Sequence, residues 1–384
     1  MTTDPLERNV YPSPPARTDP IRVLIVADAA FVGERVREII EAAPDLQCAG
    51  TVADGVAAVS FLRRQVVDAV VLDIGQAEAR VKVTLVRMFR VDPDLKVVMV
   101  GSLSFSNVKT SMMGLMEGAA EFIPTPAEHT GKTDKEFVER LRAVLDAFGR
   151  SNRDVDAPRI PARREVAPAT QPRPVPSMTP PLKLRPMSGR TPDVIAIGAS
   201  TGGPQALFTV LALLPADIGV PIFITQHMPS SFTSLLADHI SKHSALACAE
   251  AVDGEPVKPG RVYLAPGDYH MVVAGTPAAP IIQINQDPPV NYCRPSVDPM
   301  LESLAALYGP AVLTVILTGM GKDGLAGCRA VVEGGGSVIA QDAETSVVWG
   351  MPGAVALDGI CSAVLPLDDI APLIGRSFKA DWAL

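Results

Sequence analysis

The sequence has too few and too scattered cysteines for a disulfide framework. Its five cysteines are odd in number and form no Cys-x-x-Cys pair, so we expect reduced thiols in a cytosolic protein, each a small core residue. No apolar run is long enough to span a bilayer, and the first residues lack the basic-then-apolar order of a secretion signal. These absences predict a cytoplasmic protein without membrane insertion.

Positive charge is also scarce. The 34 Lys and Arg residues are outnumbered by 42 Asp and Glu residues, which gives a formal net charge of -8. Nucleic acids and anionic membranes are bound through basic surfaces. The charge balance therefore argues against a nucleic-acid partner and favours a protein or a small molecule.

The chain is long enough for two domains, because 384 residues exceed the usual size of one. Over residues 21–148, short apolar segments such as "RVLIVAD" and "DAVVLDI" alternate with amphipathic helical segments. A second series of the same kind occupies residues 193–384. This alternation is typical of a parallel sheet with helices on both faces. We predict an α/β protein with two doubly wound parallel-sheet domains.

Two stretches of the chain lack any sustained apolar period. Residues 149–192 are rich in Pro and Arg, and such a stretch cannot bury enough surface to offset its ordering entropy. We expect an extended linker there. Residues 1–20 are expected to be a flexible tail.

A glycine-rich turn, "GASTGG", follows the first strand of the second domain. It does not match the G-x-G-x-x-G dinucleotide fingerprint, and it lacks the lysine of a P-loop. It does match Gly-x-Ser-x-Gly, which would hold Ser200 on a sharp turn beside the free amides of a helix start. Glycine-rich turns with a serine also occur in phosphate-binding folds. This turn alone leaves open whether Ser200 is a nucleophile or part of a phosphate cradle.

Two further strand ends carry the partners that a nucleophilic serine needs. His227 ends the strand-like segment "IFITQH", and Asp323 lies in the glycine-rich loop after "AVLTVILTGM". The carboxyl ends of parallel strands meet in one crevice, so the three side chains can converge there. A histidine would activate the serine and an aspartate would orient the histidine. The combination favours nucleophilic catalysis.

Other histidines offer weaker candidates. His239 and His243 have the i, i+4 spacing of metal ligands but lack the glutamate of His-Glu-x-x-His, so we expect ordinary helix residues. Asp268 and His270 also follow a strand and form the best alternative base pair. We expect them near the cleft and outside the proton relay.

The second domain resembles the catalytic domain of the chemotaxis protein-glutamate methylesterase family (CheB) over residues 193–370. The blocks that carry the resemblance are "IGASTGG", "ITQHMP", "DGEPVKPGRVYLAPGDYHM", "PPVNYCRPSVDPML", "VILTGMGKDGLAG" and "GMPGAV". The resemblance implies hydrolysis of glutamate methyl esters on chemoreceptors, often with deamidation of receptor glutamines, and no cofactor for this reaction. It places the nucleophile, base and acid on Ser200, His227 and Asp323.

The resemblance also implies residues around this triad. Backbone amides near Thr201 and Met320 would stabilise the oxyanion. Arg294, in "NYCRPSVD", is a candidate for the substrate cleft, where a guanidinium could meet the carboxylate-rich receptor surface. Pairing of Arg294 with Asp298 in the same block is an equally good alternative.

Residues 21–148 resemble the receiver domain that precedes the catalytic domain in this family. The resemblance places the phosphoacceptor on Asp73 at the end of the third strand. It would assign Mg²⁺ binding to Asp28 together with Asp73. Ala27, however, stands where a further acidic residue is usual.

Residues 21–148 also lack other residues that receiver domains use for phosphorylation. Gly101 replaces the usual hydroxyl residue, although Ser102 follows it, and Thr125 replaces the usual lysine. Phosphoryl transfer depends on Mg²⁺ and a nearby cation to neutralise the charge on the moving group. We therefore expect a degenerate receiver, in which Asp73 and Asp28 are relics rather than a working phosphorylation or metal site.

The sequence thus predicts a serine hydrolase that acts on methyl-accepting chemoreceptors, with a chemotaxis histidine kinase as a further candidate partner. One alternative is a signalling adaptor without catalytic activity, against which the complete triad argues. Another is the same hydrolase acting on a protein outside chemotaxis, which the degenerate receiver makes more plausible.

Overall fold

The computed structural model describes residues 19–75, 78–126, 132–151 and 182–378. Most of the predicted tail, and residues 152–181 of the predicted linker, lie outside the described residues.

The first half of the chain folds around a parallel sheet. Its strands are β1 (Ile21–Val26), β2 (Leu46–Val52), β3 (Ala69–Asp73), β4 (Lys96–Gly101) and β5 (Glu121–Pro124). The helices that alternate with them are α1 (Ala30–Glu41), α2 (Gly55–Leu62), α3 (Glu78–Val91), α4 (Phe105–Met116) and α5 (Lys132–Ser151). The strand order is β2-β1-β3-β4-β5. Each described pair in this sheet is parallel, as predicted.

Burial explains why these apolar segments form strands. All five residues of β3 are buried, as expected where helices cover both faces of a parallel sheet. Separate clusters of apolar side chains fill the two faces, and Leu141, Leu145 and Phe148 of α5 belong to one of them.

The second half contains a larger parallel sheet. Its strands are β6 (Val194–Ala199), β7 (Ile222–Gln226), β8 (Ala247–Glu250), β9 (Arg261–Leu264), β12 (Val312–Ile316), β13 (Ser337–Gln341) and β14 (Ala363–Leu365). The helices around it are α6 (Gly203–Leu213), α7 (Ser230–His243), α8 (Val297–Tyr308), α9 (Leu325–Glu333), α10 (Met351–Leu357) and α11 (Leu367–Arg376). The strand order is β14-β13-β12-β6-β7-β9-β8. The prediction of two doubly wound sheets is confirmed.

One predicted strand lies outside this sheet. The segment "PIIQINQ" falls in β11 (Ala279–Asn285), which pairs antiparallel with β10 (His270–Thr276). Within β11 only Ile282 is fully buried, whereas β6 is buried throughout. Only one face of the hairpin packs against the core, so exposed residues alternate with half-buried or buried ones along most of β11, whereas the central strands are buried on both faces.

The last part of the predicted linker contacts the second sheet. Arg185 N donates to Cys361 O at 2.9 Å. Ser188 N donates to Ser337 Oγ at 2.7 Å, and Ser188 Oγ donates to Pro310 O at 2.8 Å. Residues 182–192 therefore lie along the second domain before β6 begins.

The two halves pack against each other at the carboxyl end of β6 and β7. Gly202 N donates to Ala120 O at 2.8 Å, and the rings of Phe122 and Phe232 lie 5.4 Å apart. Val108 and Met112 of α4 join the apolar cluster of the second half. This packing brings β5 of the first sheet to the strand ends where the candidate site lies.

None of the helices in the described ranges combines the length and the apolar character that crossing a membrane requires.

Candidate active site

Three neighbouring strands bring the predicted triad together. β6 lies between β12 and β7, and Gly198 of β6 is in register with Ile316 of β12 and Thr225 of β7. Ser200, His227 and Asp323 follow the carboxyl ends of these strands. Parallel neighbours end at the same edge, so residues more than 120 positions apart in sequence share one crevice.

The turn after β6 fixes Ser200 under the start of α6. Ser200 is 3% exposed, and its backbone N donates to Thr318 O at 3.0 Å. Gly202 has φ 77°, a left-handed conformation that favours glycine. At Gly319, an added Cβ would lie 2.8 Å from the Cβ of Ser200, so a larger residue there would displace the serine.

His227 and Asp323 form a close buried pair. His227 Nε2 lies 2.7 Å from Asp323 Oδ2, and the two side chains are 11% and 3% exposed. The aspartate therefore engages Nε2 and leaves Nδ1 of the same ring for another partner.

Asp323 accepts three further hydrogen bonds. Ser296 Oγ donates to Oδ1 at 2.6 Å, Asn291 Nδ2 donates to Oδ1 at 2.8 Å, and Val297 N donates to Oδ2 at 2.7 Å. Burial alone would raise the pKa of Asp323, but His227 and the donors from Ser296 and Val297 lower this pKa to about 2. The carboxylate stays ionised at neutral pH, as a partner for an imidazolium must.

The other ring nitrogen of His227 faces a cysteine. His227 Nδ1 lies 3.5 Å from Cys293 Sγ. Burial opposes a charged ring, but the contacts with Asp323 and Cys293 raise the pKa of His227 to about 9. Within the described residues no hydrogen bond joins Ser200 Oγ to His227.

The expectation that every cysteine is a core residue is wrong for Cys293, whereas Cys48 packs against the apolar core of the first half. Cys293 and Cys48 are half-buried, whereas Cys248, Cys328 and Cys361 are buried. Cys293 lies on the turn that leads into α8 and lines the site itself. The sequence offered no signal for this placement, since the residue lies 66 positions from His227.

The predicted oxyanion amides lie at two helix-proximal turns. Thr201 N precedes α6, and Met320 N follows β12. Neither amide donates a backbone hydrogen bond to another residue in the described ranges, whereas the next amide, Gly202 N, donates to Ala120 O. Backbone amides that lack an internal partner are suited to bind a developing negative charge.

A cavity of about 340 Å³ opens beside Ser200 and His227, and both halves of the chain line it. Glu121 and Arg140 come from the first half. Glu121 Oε2 accepts from Thr201 Oγ1 at 2.5 Å, while Glu121 Oε1 accepts from Arg140 Nε at 2.7 Å. The first half thus places the Glu121 carboxylate against Thr201, the residue that follows the candidate nucleophile Ser200.

Arg294 lines the same cavity but does not pair with Asp298. Its Nη1 donates to the backbone oxygens of Gln286 and Asp287 at 3.1 and 3.2 Å. The guanidinium therefore secures the segment that follows β11, at the edge of the cavity.

Asp268 and His270, the alternative base pair, have different surroundings. Asp268 lines the cavity and accepts from Ser230 Oγ at 2.9 Å. His270 is buried, and its Nδ1 accepts from Ser296 N at 3.2 Å. His270 therefore contacts the triad only through Ser296, a donor to Asp323.

The remaining histidine pair lies on α7. The rings of His239 and His243 stack at 5.8 Å, and His243 Nδ1 lies 2.9 Å from His239 O. In the described part of the chain no group of three or more His, Cys, Asp or Glu residues is placed to hold a metal ion.

In the first sheet, Asp73 ends β3 as expected of a phosphoacceptor. Its Oδ1 accepts from Gly75 N at 3.0 Å, and burial, together with the charge of Asp28, raises the pKa of Asp73. Ala27 supplies a buried methyl group where another acid is usual. The residues present therefore include one carboxylate fewer than the Mg²⁺ set that the receiver resemblance implies.

Sequence reasoning missed the residues that hold the acid of the triad. Asn291 and Ser296 reach Asp323 from 32 and 27 positions away. Both lie in the block "PPVNYCRPSVDPML", which drew attention through the resemblance and not through any spacing that predicts contact.

A family model, named relatives and a solved structure match this chain. A family model described as CheB methylesterase matches residues 195–374. The chain is 47% identical over 370 residues to protein-glutamate methylesterase/protein-glutamine glutaminase 1 of Paramagnetospirillum magneticum, covering 94% of this chain and 97% of that relative. It is 45% identical over 383 residues to the protein-glutamate methylesterase/protein-glutamine glutaminase of group 2 operon of Rhodospirillum centenum, covering 96% and 97%. The crystal structure of the Thermotoga maritima CheB methylesterase catalytic domain is 41% identical, covers 49% of this chain and 99% of that chain, and has a TM-score of 0.47.

Proposed function

The chain belongs to the CheB methylesterase family, and we propose that it hydrolyses glutamate methyl esters on chemoreceptor proteins. Relatives that align over nearly their whole length are named protein-glutamate methylesterase/protein-glutamine glutaminase. Deamidation of receptor glutamines is the second activity that this name implies. Both reactions are acyl transfers to water and use the same residues.

In the first step Ser200 Oγ attacks the ester carbonyl carbon. The proton of Ser200 passes to Nδ1 of His227, because Nε2 is held by Asp323 at 2.7 Å. For this transfer, the Ser200 hydroxyl must replace the Cys293 thiol as the hydrogen-bond partner of Nδ1. The imidazolium then gives the same proton to the departing methoxide, so methanol leaves and a glutamyl ester of Ser200 remains.

In the second step a water molecule replaces methanol. His227 Nδ1 takes a proton from the water, the hydroxide adds to the acyl carbon, and Ser200 leaves with that proton. The products are the free enzyme and a glutamic acid side chain, which ionises to the carboxylate by releasing its proton to solvent. In both steps the carbonyl oxygen becomes an oxyanion, which the amides of Thr201 and Met320 would stabilise. One such donor is worth about 10²–10³ in rate.

One observation carries this proposal. The His227 and Asp323 side chains form a buried pair at 2.7 Å beside Ser200, at the ends of three neighbouring parallel strands. A signalling adaptor would not require this arrangement. Acyl transfer through a serine ester involves no redox change, and we propose no cofactor for it.

The first domain is proposed to regulate by contact and not through a phosphorylated Asp73. Ala27, Gly101 and Thr125 replace the residues that bind Mg²⁺ and the phosphoryl group in working receivers. Glu121 of the same domain instead reaches Thr201 in the catalytic cavity. A protein that docks on the first domain would alter this contact directly, and a chemotaxis histidine kinase is a candidate for that role.

We place the reaction in the cytoplasm, where the five unpaired cysteines would remain reduced. Methylated glutamates on the cytoplasmic part of a chemoreceptor would be the substrate.

The direct test is incubation of the purified full-length chain with a methylated chemoreceptor preparation, followed by measurement of methanol. A matched receptor with glutamines at the methylated positions would release ammonia if the chain is also a glutaminase. Methanol release supports the proposed esterase. Receptor binding without release of methanol would indicate the adaptor, and release only from another methylated protein would place the hydrolase outside chemotaxis.

A further inference from the structure

Two buried carboxylates lie behind the triad, and one amide group joins them. Asp298 and Asp323 are 5% and 2% exposed. Asn291 Nδ2 donates to Asp298 Oδ2 at 2.7 Å and to Asp323 Oδ1 at 2.8 Å. A side-chain amide carries two protons on its nitrogen, so Asn291 serves both carboxylates at once.

The two carboxylates hold different parts of the fold. Asp298 Oδ1 accepts from Gly327 N at 2.7 Å and so anchors α9, while Asp323 faces His227. Burial raises the pKa of Asp298, the bond from Gly327 opposes this effect, and the charge of Asp323 adds to it. Like charges this close disfavour joint ionisation, so without a donor between them the pair would tend to share a proton.

The turn that carries Asn291 is held in an uncommon backbone conformation. Asn291 and Tyr292 have φ values of 51° and 63°. Val290 and Cys293 close the turn with backbone hydrogen bonds of 3.1 and 2.9 Å. Asparagine tolerates the left-handed region better than most residues, whereas for tyrosine it is unusual. Since the Tyr292 side chain is fully exposed, the turn places Asn291 and Cys293 on the two sides of the His227–Asp323 pair.

We propose that Asn291 is a positioning residue of the esterase, whose amide offsets the repulsion between Asp298 and Asp323 and thereby keeps both carboxylates charged behind His227. The inference rests on the function proposed above. Asn291 acts on the reaction only through these two carboxylates.

Other titratable groups face this network from the elements packed on it. Beside the two carboxylates are Cys328 of α9 and Glu302 of α8, and beside His227 are Cys293 and, further out, Arg140 of α5. These groups stay in place when the amide is removed. Without the amide, a proton taken up by the pair goes first to Asp298, because the pKa of Asp298 is raised and that of Asp323 is depressed. The change that reaches His227 is therefore the loss of one negative charge behind Asp323.

Removal of the amide should lower the pKa of His227 by one unit or more from about 9, because the two carboxylates behind the ring then carry one negative charge in place of two and favour the imidazolium less. At pH values above about 9, where the ring is neutral with and without the amide, the turnover number should fall about tenfold to a hundredfold, a share of the ~10²–10⁴ that general acid-base catalysis contributes. The KM should change less than about twofold, because Asn291 does not line the cavity beside Ser200 and His227.

The test is a double-mutant cycle read by NMR titration of His227 in the full-length protein with labelled histidine rings. Asn291→Gly removes the amide and keeps the left-handed backbone. Asp298→Asn removes the competing charge and keeps the shape of the side chain. Tyr292→Gly, in the same turn, controls for backbone strain, and His227→Gln assigns the signal.

The proposal predicts that Asn291→Gly lowers the pKa of His227 by at least one unit in the native background and by less than about 0.3 unit with Asp298→Asn. Tyr292→Gly should leave this pKa in place. An unchanged pKa in Asn291→Gly would overturn the proposal, and so would an equal shift in both backgrounds, which would mean that the amide only fills space. The titration does not depend on ester hydrolysis. A positive cycle together with no methanol release would therefore refute the proposed function and leave the positioning role standing.

Discussion

His227 Nδ1 lies 3.5 Å from the sulfur of Cys293, while Nε2 of the same ring lies 2.7 Å from Asp323. Both nitrogens of the candidate base therefore have partners, and the one that must serve Ser200 is next to a thiol. This arrangement sets the protonation state of the base as well as its orientation.

The pH dependence of the reaction should reflect this pairing. Burial opposes a charged ring, but the contacts with Asp323 and Cys293 raise the pKa of His227 to about 9. A general base must be neutral, so His227 is mostly in the inactive, protonated form at pH 7. We expect kcat/KM for methanol release to rise with pH and level off above about 9. A profile already flat between pH 6 and 8 would contradict this account of the base.

Substitution of Cys293 should move that profile. Cys293→Ala removes one of the contacts that raise the pKa of His227, so the rising limb should shift to lower pH and kcat/KM at pH 7 should increase several-fold. Cys48→Ala is the matched control, because Cys48 is the other half-buried cysteine and lies in the first sheet. If both variants give the wild-type profile, the thiol does not influence the base.

The contact between the two domains should limit access to the cavity. Glu121→Ala removes the acceptor of Thr201 Oγ1 and leaves Arg140 without its carboxylate partner. Loss of the carboxylate leaves Arg140 unpaired at this half-buried interface, so we expect the interface to weaken and esterase activity to rise about twofold to tenfold. Glu139→Ala serves as the control, since Glu139 pairs with Lys135 on the exposed side of α5. Activity equal to or below wild type in Glu121→Ala would show that the contact does not restrict the cavity.

Asp73 should not take up phosphate efficiently. Its carboxyl group is buried with a raised pKa, and Ala27 and Thr125 supply neither a metal ligand nor a cation. After incubation with acetyl phosphate and Mg²⁺, intact-mass measurement should show less than about a tenth of the chain phosphorylated. A receiver domain with the full set of acids and its lysine, treated alongside, shows that the reagents work. Near-complete labelling that Asp73→Asn abolishes would refute the degenerate receiver.

The hydrogen bonds to Asp323 should stabilise the fold as well as the site. Ser296→Ala removes the 2.6 Å donor to Asp323 Oδ1, and loss of one donor to a buried charged group costs about 1–3 kcal/mol. The pKa of Asp323 is depressed, so its contribution to stability is present above the ordinary pKa and is lost as pH falls toward about 2. Denaturant unfolding at pH 7 should show the loss in Ser296→Ala and almost none in Ser362→Ala, whose hydroxyl lies 3.5 Å from its nearest acceptor. Equal stability of both variants would mean that the Ser296 bond is energetically neutral.

Much of the fold followed from local pattern. Apolar runs such as those of β3 and β6 are buried along their whole length, and that is the property their composition predicted. The three-residue strand β14 and the four-residue strand β8 carry too few residues for a pattern to show. The antiparallel pairing of β10 with β11 depends on what covers the hairpin, which no local pattern encodes.

Some residues of the candidate site could likewise be predicted from local sequence signals, and others could not. Ser200 and His227 were found because a glycine-rich turn and a polar residue at a strand end are local signals. Asn291 and Cys293 were not, because their roles arise from a turn brought to Asp323 and His227 by the packing of α8. Amide and thiol side chains also carry no chemistry-specific spacing of their own.

The central claim is that Ser200 is the nucleophile for glutamate methyl esters, and methanol release by Ser200→Ala tests it most directly. The full-length wild type and this variant would be compared on the same methylated chemoreceptor preparation, with matched unfolding curves to show that both are folded. The account predicts release by the wild type and a fall of about 10⁴-fold or more in the variant, as for other serine nucleophiles. A variant that still releases methanol within about tenfold of the wild-type rate would contradict it.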